Sequence, residues 1–332
     1  MYEFLFITDP KLKYSGANIR INNLAYHFSI NDNISYLVSG NILKTYKNKK
    51  LVENKKITIF YLLFLIFQNH KFWFCDLLTF SLFPKRNHCF TLHDNKEWTV
   101  YARSGIIKKI ILKFIILKSK FFFTVTEEQK KILKKIYPNK KIHISYNGIS
   151  DHWFDNKVTN RFIKKKYVIY VSNFTSHKNH LALRNQKFLI KNYKIILVGR
   201  PIDKRGNEIY KELKKYKNIE IHKNISQKLL INLIKYSSFV LFPSNLEGFG
   251  IPIIEALSQK KNIILNNKIK FKYLLGCKKI YFHDFRKQIK KDQILNILKK
   301  RNCNHCSNFN FLWDNISTKM RNTLRINHKT FS

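Results

Sequence analysis

The sequence predicts an α/β fold with two doubly wound domains, each built on a parallel sheet. The chain has 332 residues, which suits two domains of about 150 residues each. In both halves, short apolar runs alternate with stretches of helical periodicity, which is the pattern of β-α-β units. The periodicity lapses and the charge rises across residues 151–166. We therefore predict domains at residues 1–150 and 167–308, joined by a linker at 151–166.

The first half begins with a predicted strand in the apolar run EFLFIT, followed by a polar loop and a helix. The predicted strands are 3–8, 34–38, 89–92, 121–126 and 141–145, and the predicted helices are 17–28, 106–117 and 127 to near Pro138, with unassigned apolar material through Phe83. Thr126 is expected to cap the last of these helices, because Glu127 and Glu128 lie in its first turn.

The second half repeats the alternation up to residue 236. Its predicted strands are 167–171, 195–198 and 219–222, and its predicted helices are 179–191, 207–216 and 227–236. Ligands of open parallel sheets bind at the carboxyl ends of the strands. Two facing sheets of this kind would share a cleft between them.

The stretch 239–266 combines a strand, a glycine-containing turn, a helix and a second strand. A helix start offers unpaired N–H groups and a positive dipole end, which together favour an anion such as phosphate. Gly248 and Gly250 would let the backbone approach that anion closely. Glu247 and Glu255 bracket the same position, and their carboxylates can accept hydrogen bonds from hydroxyl groups. The combination indicates a sugar-nucleotide site.

Each of these features also has a purely structural interpretation. Glu255 lies near a helix start and can simply offset the helix dipole. A glycine turn after a strand can be no more than a connection. The functional interpretation rests on their occurring together.

The run EGFGIPIIE at 247–255 resembles the E-x7-E signature of glycosyltransferase family 4. Members of that family have the GT-B fold, in which two Rossmann-like domains face each other across a cleft. Further segments that resemble the family are TLHD at 91–94, TVTE at 124–127, NGI at 147–149, YVSN at 170–173, HKN at 177–179 and LWD at 312–314. The last of these implies that residues 309–332 form a helix that crosses back to the first domain.

The resemblance implies roles for particular residues. The implied catalytic residues are His93, Lys178 and Glu247, with Lys178 at the leaving diphosphate and Glu247 at the transferred sugar. The implied donor-binding residues are Gly16, Asn173, Lys178, Glu247, Gly248, Phe249, Gly250 and Glu255, the last of which would hold the ribose hydroxyls.

Two positions depart from the family pattern. Ser15 stands in place of one of two customary glycines, and Asn173 stands where the family often has an arginine. Arg200 is one basic residue that can replace the missing cation. The departures leave open an alternative, a degenerate family member that binds nucleotide without turning it over.

The resemblance further implies the reaction. It is retaining transfer of a hexose, with mannose as our choice, from a GDP- or UDP-hexose to a glycan or glycolipid acceptor of a growing surface polysaccharide or lipopolysaccharide. The family generally needs no divalent metal, and we expect no cofactor. The sequence has no clear D-x-D cluster, and the CxxC at 303–306 lacks the second pair that would complete a zinc site.

The charge is strongly basic, with 63 Lys and Arg against 20 Asp and Glu, a net charge of +43. Such a charge attracts nucleic acid, an anionic membrane or a phosphate-bearing substrate, and it can equally reflect a biased base composition of the source genome. The alternative function is therefore a basic nucleic-acid-binding α/β protein. The basic residues are spread out and no nucleic-acid-binding motif is recognisable, so we expect no specific nucleic-acid partner.

The basic amphipathic segment 106–120 has two interpretations. It can make peripheral contact with an anionic membrane, or it can pack on the sheet with its lysines in water. The start of the chain lacks the features of a secretory signal. The longest apolar run, 57–67, is shorter than the roughly 20 residues that span a bilayer. We expect a cytoplasmic protein, with the inner face of the cytoplasmic membrane as an alternative position.

Overall fold

The computed structural model describes residues 3–8, 16–68, 72–75, 88–93, 106–154, 166–299 and 311–329. The chain divides into two compact units. The first unit comprises residues 1–148 and 311–332, and the second comprises residues 149–310. Each unit contains one sheet covered by helices, which confirms the predicted α/β class.

Before its last helix, the described part of the first unit contains eight strands and four helices. The strands are β1 (Glu3–Thr8), β2 (Ile34–Ser39), β3 (Ile42–Lys47), β4 (Lys50–Lys56), β5 (Phe72–Cys75), β6 (His88–Leu92), β7 (Phe121–Thr124) and β8 (Ile142–Ile144). The helices are α1 (Gly16–Phe28), α2 (Ile59–Phe67), α3 (Ile106–Lys118) and α4 (Glu127–Ile136). Thr126 caps α4 as predicted, because its hydroxyl accepts a hydrogen bond from the Gln129 N–H.

The first sheet has the order β4-β3-β2-β1-β5-β6-β7-β8 and is mixed, which corrects the expectation of a wholly parallel sheet. Its strands pair in parallel except at one edge, where β2, β3 and β4 pair antiparallel. This edge hairpin falls in the stretch that was predicted only as apolar material. Asn48 and Lys49 form its tight turn with φ of 47° and 58°, a left-handed conformation that suits a two-residue hairpin loop.

The two faces of the first sheet are covered by different helices. On one face, Phe28 of α1 packs edge-on against Phe4 of β1 and Phe74 of β5. On the other face, Leu5 of β1 belongs to the core cluster of α2. Residues paired across neighbouring strands share a face of the sheet. The pairing connects Leu5 through β5 to His88 of β6, and Phe90, two residues further along β6, lies on the same face. Phe90 belongs to the core cluster of α3 and α4. Helices α2, α3 and α4 therefore cover the same face.

Among its described residues the second unit has six strands and five helices, which alternate along the chain except that only a 3-10 turn, Lys272–Leu274, separates the last two strands. Its strands are β9 (Tyr167–Val171), β10 (Lys194–Val198), β11 (Ile219–His222), β12 (Val240–Phe242), β13 (Ile263–Asn266) and β14 (Ile280–His283). Its helices are α5 (Lys187–Asn192), α6 (Lys204–Leu213), α7 (Gln227–Tyr236), α8 (Ile251–Ser258) and α9 (Lys291–Lys299). All strand pairs of this sheet are parallel, in the order β11-β10-β9-β12-β13-β14.

The helix predicted at 179–191 is divided into two shorter pieces, and a separate 3-10 turn precedes them. Ser176–Lys178 and His180–Asn185 are 3-10 turns, and α5 follows them. Asn179 separates the two 3-10 turns with φ 53°, a left-handed conformation that an α-helix cannot contain. The division shapes the loop that carries Lys178.

The last helix, α10 (Trp313–Lys329), belongs to the first unit and packs against α1. Arg20 of α1 is fully buried and donates to the carbonyls of Ser145 and Tyr146 at 3.0 and 2.7 Å. Asp314 at the start of α10 accepts from Lys49 of the hairpin turn at 2.5 Å and pairs with His27 of α1 at 2.8 Å. These contacts tie the two ends of the first unit's sequence together.

The described ranges contain no helix that combines the length and the apolar character needed to cross a membrane.

Candidate functional site

The order of the second sheet marks one position as the place for a ligand. Numbered from β9, the strand order is 3-2-1-4-5-6, so the connections reverse direction between β9 and β12. Ligands of doubly wound sheets bind outside the carboxyl ends of the strands at that reversal. The segments that leave β9 and β12 are 172–179 and 243–250, which contain most of the predicted donor-binding residues.

The two segments are held together by backbone and amide contacts. The Asn245 N–H donates to the carbonyl of His177 at 2.8 Å. The carbonyl of Pro243 accepts from the side-chain amide of Asn179 at 3.1 Å and from that of Asn266 at 2.9 Å. A carbonyl oxygen has two lone pairs, and both have partners here. The loop after β12 is thus fixed to the segment that follows β9 and to the last residue of β13.

Tyr170 of β9 adds buried hydrogen bonds that connect the same two segments. Its hydroxyl donates to the carbonyl of Lys178 at 2.9 Å and lies 2.8 Å from the hydroxyl of Ser244. Burial, together with the nearby charge of Glu247, raises the pKa of the Tyr170 hydroxyl, so it stays protonated. The hydroxyl therefore remains a donor that holds the backbone of Lys178 in place.

Lys178 and Glu247 form the central contact of the site. The ammonium of Lys178 lies 2.7 Å from each of the two carboxylate oxygens of Glu247. The side chain of Glu247 is only 6% exposed, and that of Lys178 is 21% exposed. A bidentate contact of this kind fixes the direction of both groups and is screened little by solvent. A cation is therefore held at the carboxyl end of β9, directly at the strand reversal.

Gly250 shapes the start of α8. It has φ of 78°, and a Cβ added there would lie 2.7 Å from Cδ1 of Ile253. Only glycine adopts this conformation without strain. Pro252 occupies the first helical turn, as predicted from its fixed φ. The ring of Phe249 stacks on Tyr273 at 4.9 Å, and its carbonyl accepts from the Tyr273 hydroxyl, which anchors the turn.

Glu255 lies on α8, about one turn after the helix start. Part of its surface is exposed, yet desolvation raises the pKa of its carboxyl to about 8. Within the described part of the chain, no hydrogen bond or ion pair reaches this carboxyl group. The carboxyl is held next to the protein interior, and burial favours its protonated, uncharged form.

Asn173 positions the segment that follows β10. Its side-chain oxygen accepts from the Arg200 N–H at 3.2 Å. Gly199 permits the close approach, because a Cβ there would lie 2.0 Å from the carbonyl oxygen of Ser172. The departure at Asn173 thus fixes the backbone at Arg200, the residue considered as a replacement cation.

His180 packs beneath the 3-10 turns as a neutral ring. It is fully buried, stacks on Phe174 at 4.3 Å and lies 4.7 Å from the ring of Tyr170. Burial, with a smaller effect of the Lys178 charge, lowers the pKa of its imidazole to about 3. His180 acts as an aromatic support for the loop that carries Lys178.

The structure brings some predicted site residues together and leaves others in the first unit. Asn173, Lys178, Glu247, Gly248, Phe249, Gly250 and Glu255 all lie in the second unit around the ends of β9 and β12. In the first unit, His93 directly follows β6, and its carbonyl accepts from the Gln129 side chain at 2.9 Å. Gly16 is the exposed first residue of α1, while Ser15, Asp94 and the CxxC at 303–306 lie outside the described residues.

Sequence analysis did not identify Tyr170, Asn179 or Asn266 as parts of the site. Tyr170 lies in a predicted strand and in the YVSN segment that resembles the family, but an aromatic residue in a strand is expected in the core. Asn179 is the first residue of the predicted helix and the last of the HKN segment, whereas the structure places it in the left-handed conformation in which asparagine is enriched. No local signal points to Asn266, because its partner at Pro243 is separated from it by 23 residues.

Known proteins are similar to this chain in sequence and in fold. Residues 151–303 match the profile of the family described as glycosyl transferases group 1. Over 191 residues, the chain is 27% identical to the O-antigen chain mannosyltransferase RfbU of Salmonella typhimurium, covering 55% of this chain and 52% of that protein. The chain therefore spans about half the length of this curated relative.

Solved structures resemble the whole fold. Sucrose-phosphate synthase from Thermosynechococcus elongatus superposes with a TM-score of 0.79 at 12% identity, covering 99% of this chain and 100% of that one. The Anabaena protein Alr3699/HepE, solved in complex with UDP and glucose, has a TM-score of 0.69 at 12% identity, covering 98% and 100%. These likenesses show that the chain has the GT-B fold, and its residues 151–303 are similar to the glycosyl transferases of group 1.

Proposed function

We propose that the protein is a retaining glycosyltransferase that transfers a hexose, by our choice mannose, from a nucleotide-sugar donor. The acceptor in this proposal is a growing, lipid-linked surface polysaccharide or lipopolysaccharide. The observation that carries the proposal is the Lys178–Glu247 contact at the strand reversal of the second sheet. It stands beside the start of α8 in a group 1 glycosyltransferase domain.

The chemistry of the reaction accounts for this arrangement. Transfer from a nucleotide sugar develops positive charge at the anomeric carbon and negative charge on the departing diphosphate. Groups aimed at that negative charge before the reaction lower the barrier most. In our proposal Lys178 and the N–H groups at Phe249 and Gly250 stabilise the diphosphate. Arg200, whose backbone Asn173 fixes, supplies the second cation.

The remaining roles concern hydroxyl groups. We assign the hydroxyls of the transferred sugar to Glu247 and those of the ribose to Glu255. The raised pKa of Glu255 supports this, because a carboxyl that lacks charged partners can exchange hydrogen bonds with neutral hydroxyls. His93 is assigned to the donor sugar and Gly16 to the diphosphate. Both assignments rest on the family resemblance alone.

We further propose that transfer needs no metal or other cofactor and proceeds on the front face, with the leaving phosphate helping to deprotonate the acceptor. Mannose as the sugar is supported by the likeness to RfbU, a mannosyltransferase by name. That name also supports a polysaccharide acceptor. We place the protein in the cytoplasm, where nucleotide sugars are made, at or near the inner face of the membrane.

The test is a panel of GDP- and UDP-sugars, scored by thermal shift and by transfer to a lipid-linked acceptor. We expect GDP-mannose to stabilise the protein and to be consumed. The transfer should also proceed in the presence of a chelator, and the product should retain the anomeric configuration of the donor. Lys178→Met should lower kcat/KM by about a hundredfold, since one lost donor at a developing anion commonly costs that much. Exposed Lys204→Met is the matched control and should have no effect.

Three results would contradict the proposal. Stabilisation by nucleotide without transfer to any acceptor would identify a binding protein rather than an enzyme. Full activity of Lys178→Met would remove the assigned site. Inverted configuration in the product would rule out the retaining mechanism.

A further inference from the structure

The outer surface of α2 is unusual for a helix that covers a sheet. Its inner residues Leu62, Leu65 and Ile66 are buried in the core of the first unit. Its outer side would ordinarily be polar. Instead the whole helix, IFYLLFLIF, has no charged residue, and Phe60 and Phe67 are 79% and 67% exposed. Exposed apolar surface of this kind marks a site of interaction.

Helix α3 also has an apolar outer side, and it carries lysines in addition. It packs on the sheet through Leu112, Ile115 and Ile116, which confirms the sheet-covering interpretation of this segment. Its exposed side is also apolar at Ile106, Ile107, Ile110, Phe114 and Leu117. Between these residues lie exposed lysines, including Lys109 and Lys113, and neither helix contains an acidic residue.

The two helices present these surfaces in the same direction. Both cover the face of the first sheet that bears Leu5 and Phe90, so their outer sides point away from the same face. Helix α2 packs on β1, and α3 packs on β6 and β7 of the same sheet. Because both helices belong to the first unit, this arrangement does not depend on the position of the second unit.

We propose that the outer sides of α2 and α3 together form a docking surface for an anionic lipid bilayer. In this arrangement Phe60, Phe64 and Phe67 of α2 insert among the acyl chains. The lysines of α3 reach the lipid phosphates while their alkyl stems cover apolar surface.

Charge favours a bilayer over a protein partner. The centre of a protein interface is depleted of charged residues. On α3, exposed Lys109 and Lys113 instead lie among exposed isoleucines and Phe114, a combination of basic and apolar side chains typical of helices that lie in the lipid interface. The net charge of +43 adds a long-range attraction to an anionic surface. This inference goes beyond the proposed activity and does not require it.

The experiment is flotation of the full chain with vesicles of phosphatidylcholine alone and with vesicles that also contain phosphatidylglycerol. We expect binding to the anionic vesicles, weakened by salt. F60S/F64S should reduce the affinity about tenfold or more, because two aromatic side chains are then no longer buried among the acyl chains. K109Q/K113Q should reduce it about fivefold per lysine.

Matched controls separate docking from general charge and hydrophobicity. Phe154→Ser replaces an exposed phenylalanine of the second unit, and K204Q/K211Q removes two exposed lysines there. Both should float as well as the unchanged protein. Because all altered side chains are exposed, thermal unfolding and nucleotide-induced stabilisation should stay unchanged in every variant, so a failure of the proposed activity would be seen separately.

Several outcomes would overturn the inference. Absence of binding to phosphatidylglycerol vesicles would remove it. Equal flotation of F60S/F64S and the unchanged protein would show that α2 does not insert. If F60S/F64S instead converted a dimer to a monomer in sedimentation, the surface would be an interface between copies of the chain.

Discussion

Glu255 is a single side chain that makes the stability of the fold depend on pH. Its carboxyl keeps a pKa of about 8 because it is desolvated in the folded chain. A glutamate in an unfolded chain titrates near pH 4.3. Between these two values the folded protein holds a proton that the unfolded chain has released. Stability contributed by this group is therefore complete below about pH 4.3 and is lost as pH rises towards about 8.

Replacing Glu255 by glutamine removes this pH dependence. We expect the stability of Glu255→Gln, relative to the unchanged protein, to increase between about pH 5 and about pH 8 by about 1 kcal/mol or more, since each pKa unit corresponds to about 1.4 kcal/mol. Urea unfolding at the two pH values measures the difference. Glu208→Gln alters an exposed glutamate of α6 and is the control. A difference that does not change with pH would show that Glu255 ionises normally.

At this scale, the sequence identified Lys178, Glu247 and Glu255 but not their contacts. Lys178 and Glu247 are separated by 69 residues, and Asn173 and Arg200 by 27. Such contacts depend on which strands become neighbours, and no local pattern encodes that. The sequence also assigned Lys178 and Glu247 to adjacent parts of a donor, but it did not predict that the two side chains contact each other.

Among the secondary-structure elements, the turn into α8 depends most on a single residue type. Gly250 and Gly276 share a φ of 78°, but only Gly250 is crowded, by Ile253. A Cβ added at Gly276 meets nothing within 4 Å. The pair therefore separates the effect of backbone strain from the effect of displacing the helix start.

We expect Gly250→Ala and Gly276→Ala each to lower stability by about 1–2 kcal/mol through the left-handed backbone. Gly250→Ala should in addition weaken nucleotide binding, because α8 begins at this residue. Thermal unfolding and nucleotide titration of both variants measure the two effects. Equal nucleotide affinity in both variants would mean that the start of α8 takes no part in binding.

The elements around this turn were predictable because their signals are local. An apolar run, two glycines and Pro252 placed the strand, loop and helix where the structure has them. The β3–β4 hairpin was missed because its strands are rich in lysine and its turn is Asn-Lys rather than Asn-Gly. Hydrogen bonding of β3 to its neighbour β2 stabilises this hairpin, although its residues have little preference for strands.

For the molecule as a whole, the net charge of +43 requires its own test. We expect duplex DNA to bind without sequence preference, with an affinity that falls steeply with salt, as counterion release demands. Nucleotide-induced stabilisation should persist at salt concentrations that abolish DNA binding. Preference for one duplex over random sequence by about a thousandfold would instead favour the nucleic-acid-binding function. Gel-shift titrations over a salt series give both measurements.

The doubly saturated carbonyl of Pro243 has a thermodynamic consequence. Since the side-chain amides of Asn179 and Asn266 already occupy it, the loop after β12 is held in place by the protein alone. In the proposed function, little chain entropy is then lost when the nucleotide sugar binds. Binding free energy that a mobile loop would spend on its own ordering stays available for the transition state. Such a loop should show a small change in amide hydrogen exchange when nucleotide is added.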